Sequence, residues 1–297
     1  MSNAATKDVI GFIGIGLMGT PMTLRLLDQG RKVVVWNREP SRADPVVAAG
    51  AVWAPSPRAV AEASDIVLLC VLNTEAVSDC IWGSDGVAEA ARGARLLIDH
   101  STIDPAATRD FATRLKARTS AGWVDAPVSG GPAAARTGTL TIMAGAGDTD
   151  WVAARPVLAD LGANITRVGG VGAGQVAKII NQAIVGSGFV LMAEALRLAE
   201  QAGIDAAAIP ACLAGGFADS TLLQRVYPQM QRRAFDPPLS FSRQLLKDMK
   251  AVTAFADGLQ LSLPMVQTAC ARYAAHVGRG HGMEDSASIL RLYEEQP

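Results

Sequence analysis

Short apolar runs separated by amphipathic stretches fill the first half of the chain, a rhythm of strand, helix and strand that builds a parallel sheet. Strands are predicted at residues 9–13, 32–36, 66–71, 96–99, 123–125, 140–144 and 165–168. After Gly174 the rhythm stops. Residues 175–202 have the apolar spacing of one long helix ended by Gly203, with Gly186 and Gly188 expected to loosen its middle. Further helices are predicted at 205–214, 221–232, 242–257, 264–277 and 285–294, with no competing strand pattern. The glycine-rich stretch VGGVGAGQ joins the last strand to the long helix, which places a boundary at residues 168–174. The expected architecture is an α/β domain over 1–168 and an all-α domain over 169–297.

Composition narrows the functional classes. Across 297 residues, 27 Lys and Arg face 28 Asp and Glu, leaving a net charge of −1 and no overall basic field for a nucleic acid. The longest uncharged apolar stretch, 179–193, contains Asn181, Gln182 and Ser187 and falls short of the roughly 18 residues that a membrane span needs. It reads as a buried helix, and no membrane partner is expected. Residues 1–8 lack a basic start followed by a long apolar run, so export is not expected. Four scattered cysteines without a CxxC pair suit reduced thiols and a cytoplasmic location, and three histidines give poor material for a metal site.

The first chemical motif is GFIGIGLMG. Gly14, Gly16 and Gly19 form GxGxxG between a predicted strand and a predicted helix, with Leu17 and Met18 inside the same turn. That setting is what a Rossmann-type dinucleotide site requires: a tight turn, close backbone approach to a pyrophosphate, and a helix N-terminus facing the anion. A glycine-rich turn without a ligand is the competing reading. The next strand ends at Trp36, followed by Asn37 and Arg38, where an NAD site would offer a carboxylate to the ribose. Arg38 suits a 2′-phosphate instead, which favours NADP with NAD as the alternative; a plain surface arginine beside Glu39 would give no discrimination.

Two later segments carry further candidates. DAPVSGG ends in Ser129, Gly130 and Gly131, a hydroxyl and exposed backbone N–H groups that suit a carboxylate, although a tight connecting turn explains the spacing equally well. In GAGQVAKIINQ, Lys178 has apolar neighbours and no carboxylate within four residues, while Asn181 and Gln182 follow at i+3 and i+4 on the same helix face. Such a lysine is either a proton-transfer group tuned by its surroundings or a side chain that snorkels from the edge of a buried helix. Lys247 and Asp248 have the default reading of a solvated pair.

Together these segments resemble the β-hydroxyacid dehydrogenase family over nearly the whole chain. GFIGIGLMGTPM is similar to its cofactor signature, DAPVSGG to its substrate loop, GAGQVAKIINQ to its catalytic helix, and residues 246–249 to its late lysine-aspartate motif. The resemblance implies that Lys178 is the general acid/base, assisted by Asn181 and by Gln182 as a hydrogen-bond partner of the reacting oxygen. It also implies that Ser129, Gly130 and Gly131 hold a small substrate carboxylate. Thr102 would lie beside the nicotinamide, with Val71, Leu72 and Asn73 on the same side and Lys247 contacting cofactor or substrate. Val71-Leu72-Asn73 stands where many members carry Leu-Pro-Asn, and PAAAR at 132–136 lacks a glycine common after the substrate loop. GGFADST at 215–221 is closer to the semialdehyde reductases of the family. The implied activity is NADP-dependent interconversion of a short 3-hydroxy acid and its semialdehyde or 3-oxo acid by a homodimer or homotetramer. An imine reductase, or a dinucleotide-binding module without catalysis, are the alternatives.

Overall fold

A computed structural model of the protein describes residues 8–294, so most of the N-terminal stretch read above for export lies outside the described residues. The chain divides into two units, 1–178 and 179–297. The first begins with β1 (Ile10–Ile13), α1 (Gly19–Asp28), β2 (Val33–Trp36), α2 (Asp44–Ala48), β3 (Val52–Trp53), α3 (Pro57–Glu62), β4 (Ile66–Leu69) and α4 (Thr74–Trp82). It continues through β5 (Leu96–Asp99), α5 (Pro105–Thr119), β6 (Gly122–Asp125), β7 (Val128–Ser129), α6 (Gly131–Thr137), β8 (Leu140–Ala146), α7 (Asp148–Leu161) and β9 (Gly162–Gly169).

The sheet runs β3-β2-β1-β4-β5-β6-β8-β7, with β9 on the other edge of β8. The pairs from β3 to β6 are all parallel, and each side of that sheet is buried. Ile10, Phe12, Val33, Val35, Ile66 and Leu68 pack with Met22 and Leu26 of α1 on one face. Ile13, Val34, Val67, Leu69 and Leu97 pack with α3, α4 and α5 through Val60, Val77, Ile81 and Leu115 on the other. Burial on both faces is why these strands read as continuous apolar runs rather than alternating ones.

The expectation of a purely parallel sheet needs correction at its far end, where β8 runs antiparallel to β6 and β7. Only residues 130–139 separate β7 from β8. That is too little for a parallel crossover, which takes about a dozen residues or more, whereas the α7 connection is long enough and β9 returns parallel to β8. The pairings Asp125 with Gly145 and Val128 with Ile142 share one register, and Met143 N donates to Pro127 O at 3.1 Å between them. Segment 124–129 is therefore one kinked strand lying along β8.

The helix α8 (Ala173–Gln201) begins in the first unit and continues into the second, which adds α9 (Ile209–Leu213), α10 (Thr221–Gln231), α11 (Ser242–Gly258), α12 (Pro264–Gly278) and α13 (Arg291–Glu294). The stretch predicted as one helix at 285–294 is a 3-10 segment followed by α13. The core of this unit gathers Val190, Ala193, Leu196, Tyr227, Met230, Leu245, Met249 and Tyr273. Gly186 and Gly188 do not interrupt α8. A Cβ on Gly186 would lie 2.1 Å from the Met249 sulfur, and one on Gly188 would lie 2.3 Å from a Leu222 methyl, so these glycines admit side chains of α11 and α10.

The long helix predicted at 175–202 is present, but the expectation that its apolar stretch falls short of a membrane span and is buried is corrected. α8 has 29 residues and is long and apolar enough, by length and composition alone, to cross a membrane. Ile180, Ile184, Leu191 and Leu198 stand 57–72% exposed along it.

Candidate active site

Gly14, Gly16 and Gly19 occupy the turn from β1 into α1, beside the point where the strand order reverses between β1 and β4. Open α/β sheets bind ligands at such a reversal. Gly14 has φ +101°, and a Cβ there would lie 2.3 Å from the Cys70 carbonyl oxygen at the end of β4. A Cβ on Gly19 would lie 1.9 Å from the Gly14 carbonyl oxygen, so the turn closes only with glycine at both positions. Gly16 faces open space, Leu17 is exposed, and no side chain caps the first turn of α1. Those features fit a dinucleotide pyrophosphate.

The Asn37 side chain is turned back on this loop. Its Oδ1 accepts from Ile15 N at 2.9 Å, and its Nδ2 donates to Glu39 O at 2.9 Å. Arg38 is exposed beside it. The neighbouring Glu39 carboxylate is paired with Arg42 at 2.8 Å, which holds its pKa below the ordinary value. On the β4 side, Val71 N donates to the Ser101 hydroxyl at 2.9 Å, Leu72 is 52% exposed, and Asn73 caps α4 by accepting from Ala76 N at 3.0 Å.

DAPVSGG is less a turn than a strand. Val128 and Ser129 pair with β8, and Gly130 and Gly131 then take φ values of +130° and +74° to enter α6. Ser129 is half-buried and Gly130 exposed. Lys178 Nζ donates to the Val128 carbonyl at 2.8 Å, so the buried lysine of α8 reaches the residue next to Ser129. The N-terminus of α8 is fixed by Asp125, whose two carboxylate oxygens accept from Gly172 N at 2.7 Å and Gln175 N at 3.0 Å. Thr102 is half-buried in a loop held by Gln175: Ile103 N donates to the Gln175 side-chain carbonyl at 3.1 Å, and its amide donates to Ser101 O at 2.9 Å.

Within the helical unit, Asn181 Nδ2 donates to Gln182 Oε1 at 2.7 Å, and Gln182 Nε2 donates to Asp248 at 2.6 Å. Lys247 pairs with Asp248 at 3.0 Å. The solvated reading of that last pair does not hold for Asp248, whose side chain is only 13% exposed. Sequence reasoning assigned no site role to Asp125 or Gln175 in the first unit, and read Asp248 in the second from its residues as solvated. The signal for Gln175 was present as polar residues at 175, 178, 181 and 182, a helical spacing along an otherwise apolar helix.

Beneath the first-unit residues lies a buried ionisable layer. Asp99 and Asp125 are register partners on β5 and β6. Burial raises Asp99 to about 7 and Asp125 to about 6, the second against the backbone N–H groups that favour its charged form. Burial lowers His100 to about 4, so its neutral ring donates from Nδ1 to Ala126 O at 2.7 Å. Burial also pushes Cys70 up to about 12, leaving a protonated thiol rather than a nucleophile. The four cysteines are free, and among the described residues no group of three or more His, Cys, Asp or Glu side chains is placed to hold a metal.

Comparison with known proteins gives a consistent picture. Residues 9–170 match the model of the NAD binding domain of 6-phosphogluconate dehydrogenase, and residues 172–293 match that of the NAD-binding region of NADP-dependent 3-hydroxyisobutyrate dehydrogenase. The 2-hydroxy-3-oxopropionate reductase of Escherichia coli (strain K12) is 35% identical over 285 residues, covering 96% of this chain and 97% of that protein. A crystal structure of 3-hydroxyisobutyrate dehydrogenase from Salmonella typhimurium superposes with a TM-score of 0.87 at 27% identity, covering 96% of this chain and 100% of that one. An imine reductase from Pseudomonas sp. shares the fold at a TM-score of 0.61 and 18% identity, over 96% of this chain and 99% of that one.

Proposed function

Because the chain belongs to the β-hydroxyacid dehydrogenase family, we propose that it is an NADP-dependent oxidoreductase interconverting a short 3-hydroxy acid and its semialdehyde or 3-oxo acid. The carrying observation is the hydrogen bond from Lys178 Nζ to Val128 O, which brings an ammonium to the strand that ends in Ser129. In the direction of reduction, a nicotinamide cofactor held at the Gly14–Gly19 turn would supply the hydride for the carbonyl carbon. Lys178 gives a proton to the carbonyl oxygen, and Gln182, oriented by Asn181 and Asp248, adds a hydrogen bond to that oxygen. Ser129, Gly130 and Gly131 hold the substrate carboxylate, so the acid group and the reacting oxygen are anchored separately.

On this reading residues 1–168 bind the cofactor, and 169–297 serve substrate binding and self-association. Gly14, Gly16, Leu17, Met18 and Gly19 line the pyrophosphate turn. Arg38 receives the 2′-phosphate of NADP while Asn37 holds the turn. Val71, Leu72, Asn73 and Thr102 border the nicotinamide, and Lys247 contacts cofactor or substrate. Support for a homodimer or homotetramer comes from α8, where exposed Ile184, Leu191 and Leu198 recur at heptad spacing and suit a second copy of the chain. Four free cysteines support a reducing, cytoplasmic location.

The test is kcat/KM with NADPH and NADH for short 3-oxo acids, 2-oxo acids, neutral aldehydes of equal length and a cyclic imine. A neutral aldehyde leaves the carboxylate donors unpaired and is expected to react about ten- to hundredfold less efficiently than the matching acid. Ser129→Ala should narrow that gap. Better turnover of the imine or the neutral aldehyde would overturn the assignment in favour of an imine or general aldehyde reductase. Loss of all turnover across the panel would leave a dinucleotide-binding module.

A further inference from the structure

We propose that Gln175 is a positioning residue that fixes the Thr102 loop in register with Lys178, an inference resting on the reading of Lys178 as the proton donor beside a nicotinamide. Gln175 is fully buried in the first turns of α8. Its side-chain amide closes on the two backbone groups that flank Thr102: the oxygen accepts from Ile103 N at 3.1 Å, and the nitrogen donates to Ser101 O at 2.9 Å. Both bonds use the amide in one orientation, with a donor at one end and an acceptor at the other.

Three residues along the same helix, Lys178 Nζ donates to Val128 O at 2.8 Å. Less than one turn of α8 thus grips the 101–103 loop through Gln175 and the Ser129 strand through Lys178. The helix is itself held by Asp125, which accepts from the Gln175 backbone N–H at 3.0 Å. Other ties of the loop include Ser101 N donating to Asp99 Oδ1 at 2.9 Å and the Ser101 hydroxyl accepting from Val71 N at 2.9 Å. Neither reaches α8. Only the Gln175 amide, among these contacts, relates the position of Thr102 to the helix that carries the proton donor.

A hydride acceptor has to meet both the nicotinamide and the proton donor, and small misplacements in such geometry cost large factors in rate. Gln175 therefore acts on turnover without touching substrate. The same amide also satisfies two buried backbone groups, so the test must separate positioning from simple packing. Gln175→Met keeps the length and removes both hydrogen bonds. Gln175→Glu keeps both only while its carboxyl holds a proton, because the ionised form has no donor for Ser101 O.

Expected for Gln175→Met are a fall in kcat of about tenfold or more, a larger primary isotope effect with NADPH deuterated at C4, and an NADPH Kd within about threefold of the parent. For Gln175→Glu, kcat should approach the parent value at low pH and fall as pH rises through a limb additional to the one that loss of the Lys178 proton gives the parent and Gln175→Met. Parent-level kcat in Gln175→Met overturns the proposal, as does Gln175→Glu tracking Gln175→Met at every pH. If Gln175→Glu fails to fold, Gln175→Met decides by kcat and by amide deuterium exchange across residues 101–104, which should speed up; loss of folding in both variants assigns a structural role and overturns positioning. If the parent itself turns over none of the acids, the proposed function fails separately, and unchanged exchange at 101–104 in Gln175→Met would then overturn the clamp.

Discussion

Gln182 donates a 2.6 Å hydrogen bond from Nε2 to Asp248 Oδ2, joining α8 to α11 inside the helical unit. With Asn181 donating to its oxygen at 2.7 Å, the Gln182 amide has both ends engaged and a fixed orientation. One N–H remains to be directed elsewhere, and its direction is set by Asp248. Asp248→Ala is therefore expected to lower kcat about tenfold while leaving NADPH affinity unchanged, with Asp248→Asn falling between variant and parent. Steady-state kinetics and cofactor titration check this. An unaltered kcat in Asp248→Ala would reduce the contact to helix packing.

Lys178→Ala should lower turnover by about 10²–10⁴, the usual worth of a positioned general acid, with NADPH binding nearly intact. Lys178→Arg should not restore the rate, because guanidinium does not release its proton in this pH range. Pre-steady-state hydride transfer, followed by NADPH absorbance, provides the measurement. Full activity in Lys178→Ala would remove it from the mechanism.

Arg38 stands exposed at the end of β2 next to a Glu39 carboxylate already engaged by Arg42. Preference for NADPH over NADH is expected in the parent, and Arg38→Ala should narrow it about tenfold, the equivalent of about 1.4 kcal/mol. Equal kcat/KM for the two cofactors before mutation would count against Arg38 as the phosphate partner.

Asp99 supplies a pH dependence of stability. Burial raises its pKa from the ordinary 3.8 to about 7 in the folded protein, so the folded state holds this proton more tightly than the unfolded chain does. The associated stability is fully present below the unfolded value and is lost as pH rises through about 7. Asp99→Asn cannot ionise and keeps an acceptor for Ser101 N. Its Tm should gain on the parent's as pH rises across this window, by about 2 °C or more at pH 8. Thermal melts from pH 4 to 8 with a constant offset between the two proteins would refute the assignment.

Much of the fold was legible because buried parallel strands leave a simple signature. Ile10–Ile13 and Ile66–Leu69 are continuous apolar runs, Leu96–Asp99 is apolar up to its last residue, and the helical half has the spacing that α8, α10 and α11 adopt. β3 escaped notice because it is a two-residue strand. β7 escaped because Pro127, Gly130 and Gly131 surround it, and those residues mark turns unless another strand supplies pairing. Gln175 and Asp248 were obscured for a different reason: their hydrogen-bond partners lie far away in the chain, 72 and 66 residues from them. A polar residue on an apolar helix announces an unmet need, and only the tertiary fold shows which group meets it.

The kinked strand 124–129 has a consequence for how this scaffold can change. Binding loops ordinarily absorb insertions and deletions, but here the segment ending in Ser129 is laid along β8 in a single register. One added residue between Pro127 and Ser129 would turn Ser129 to the opposite face of the sheet and carry the Lys178 acceptor, Val128 O, out of place. Diversification at this position has to proceed by exchange of side chains at constant length, which makes the spacing from Asp125 to Gly131 as much a part of the chemistry as the residues within it.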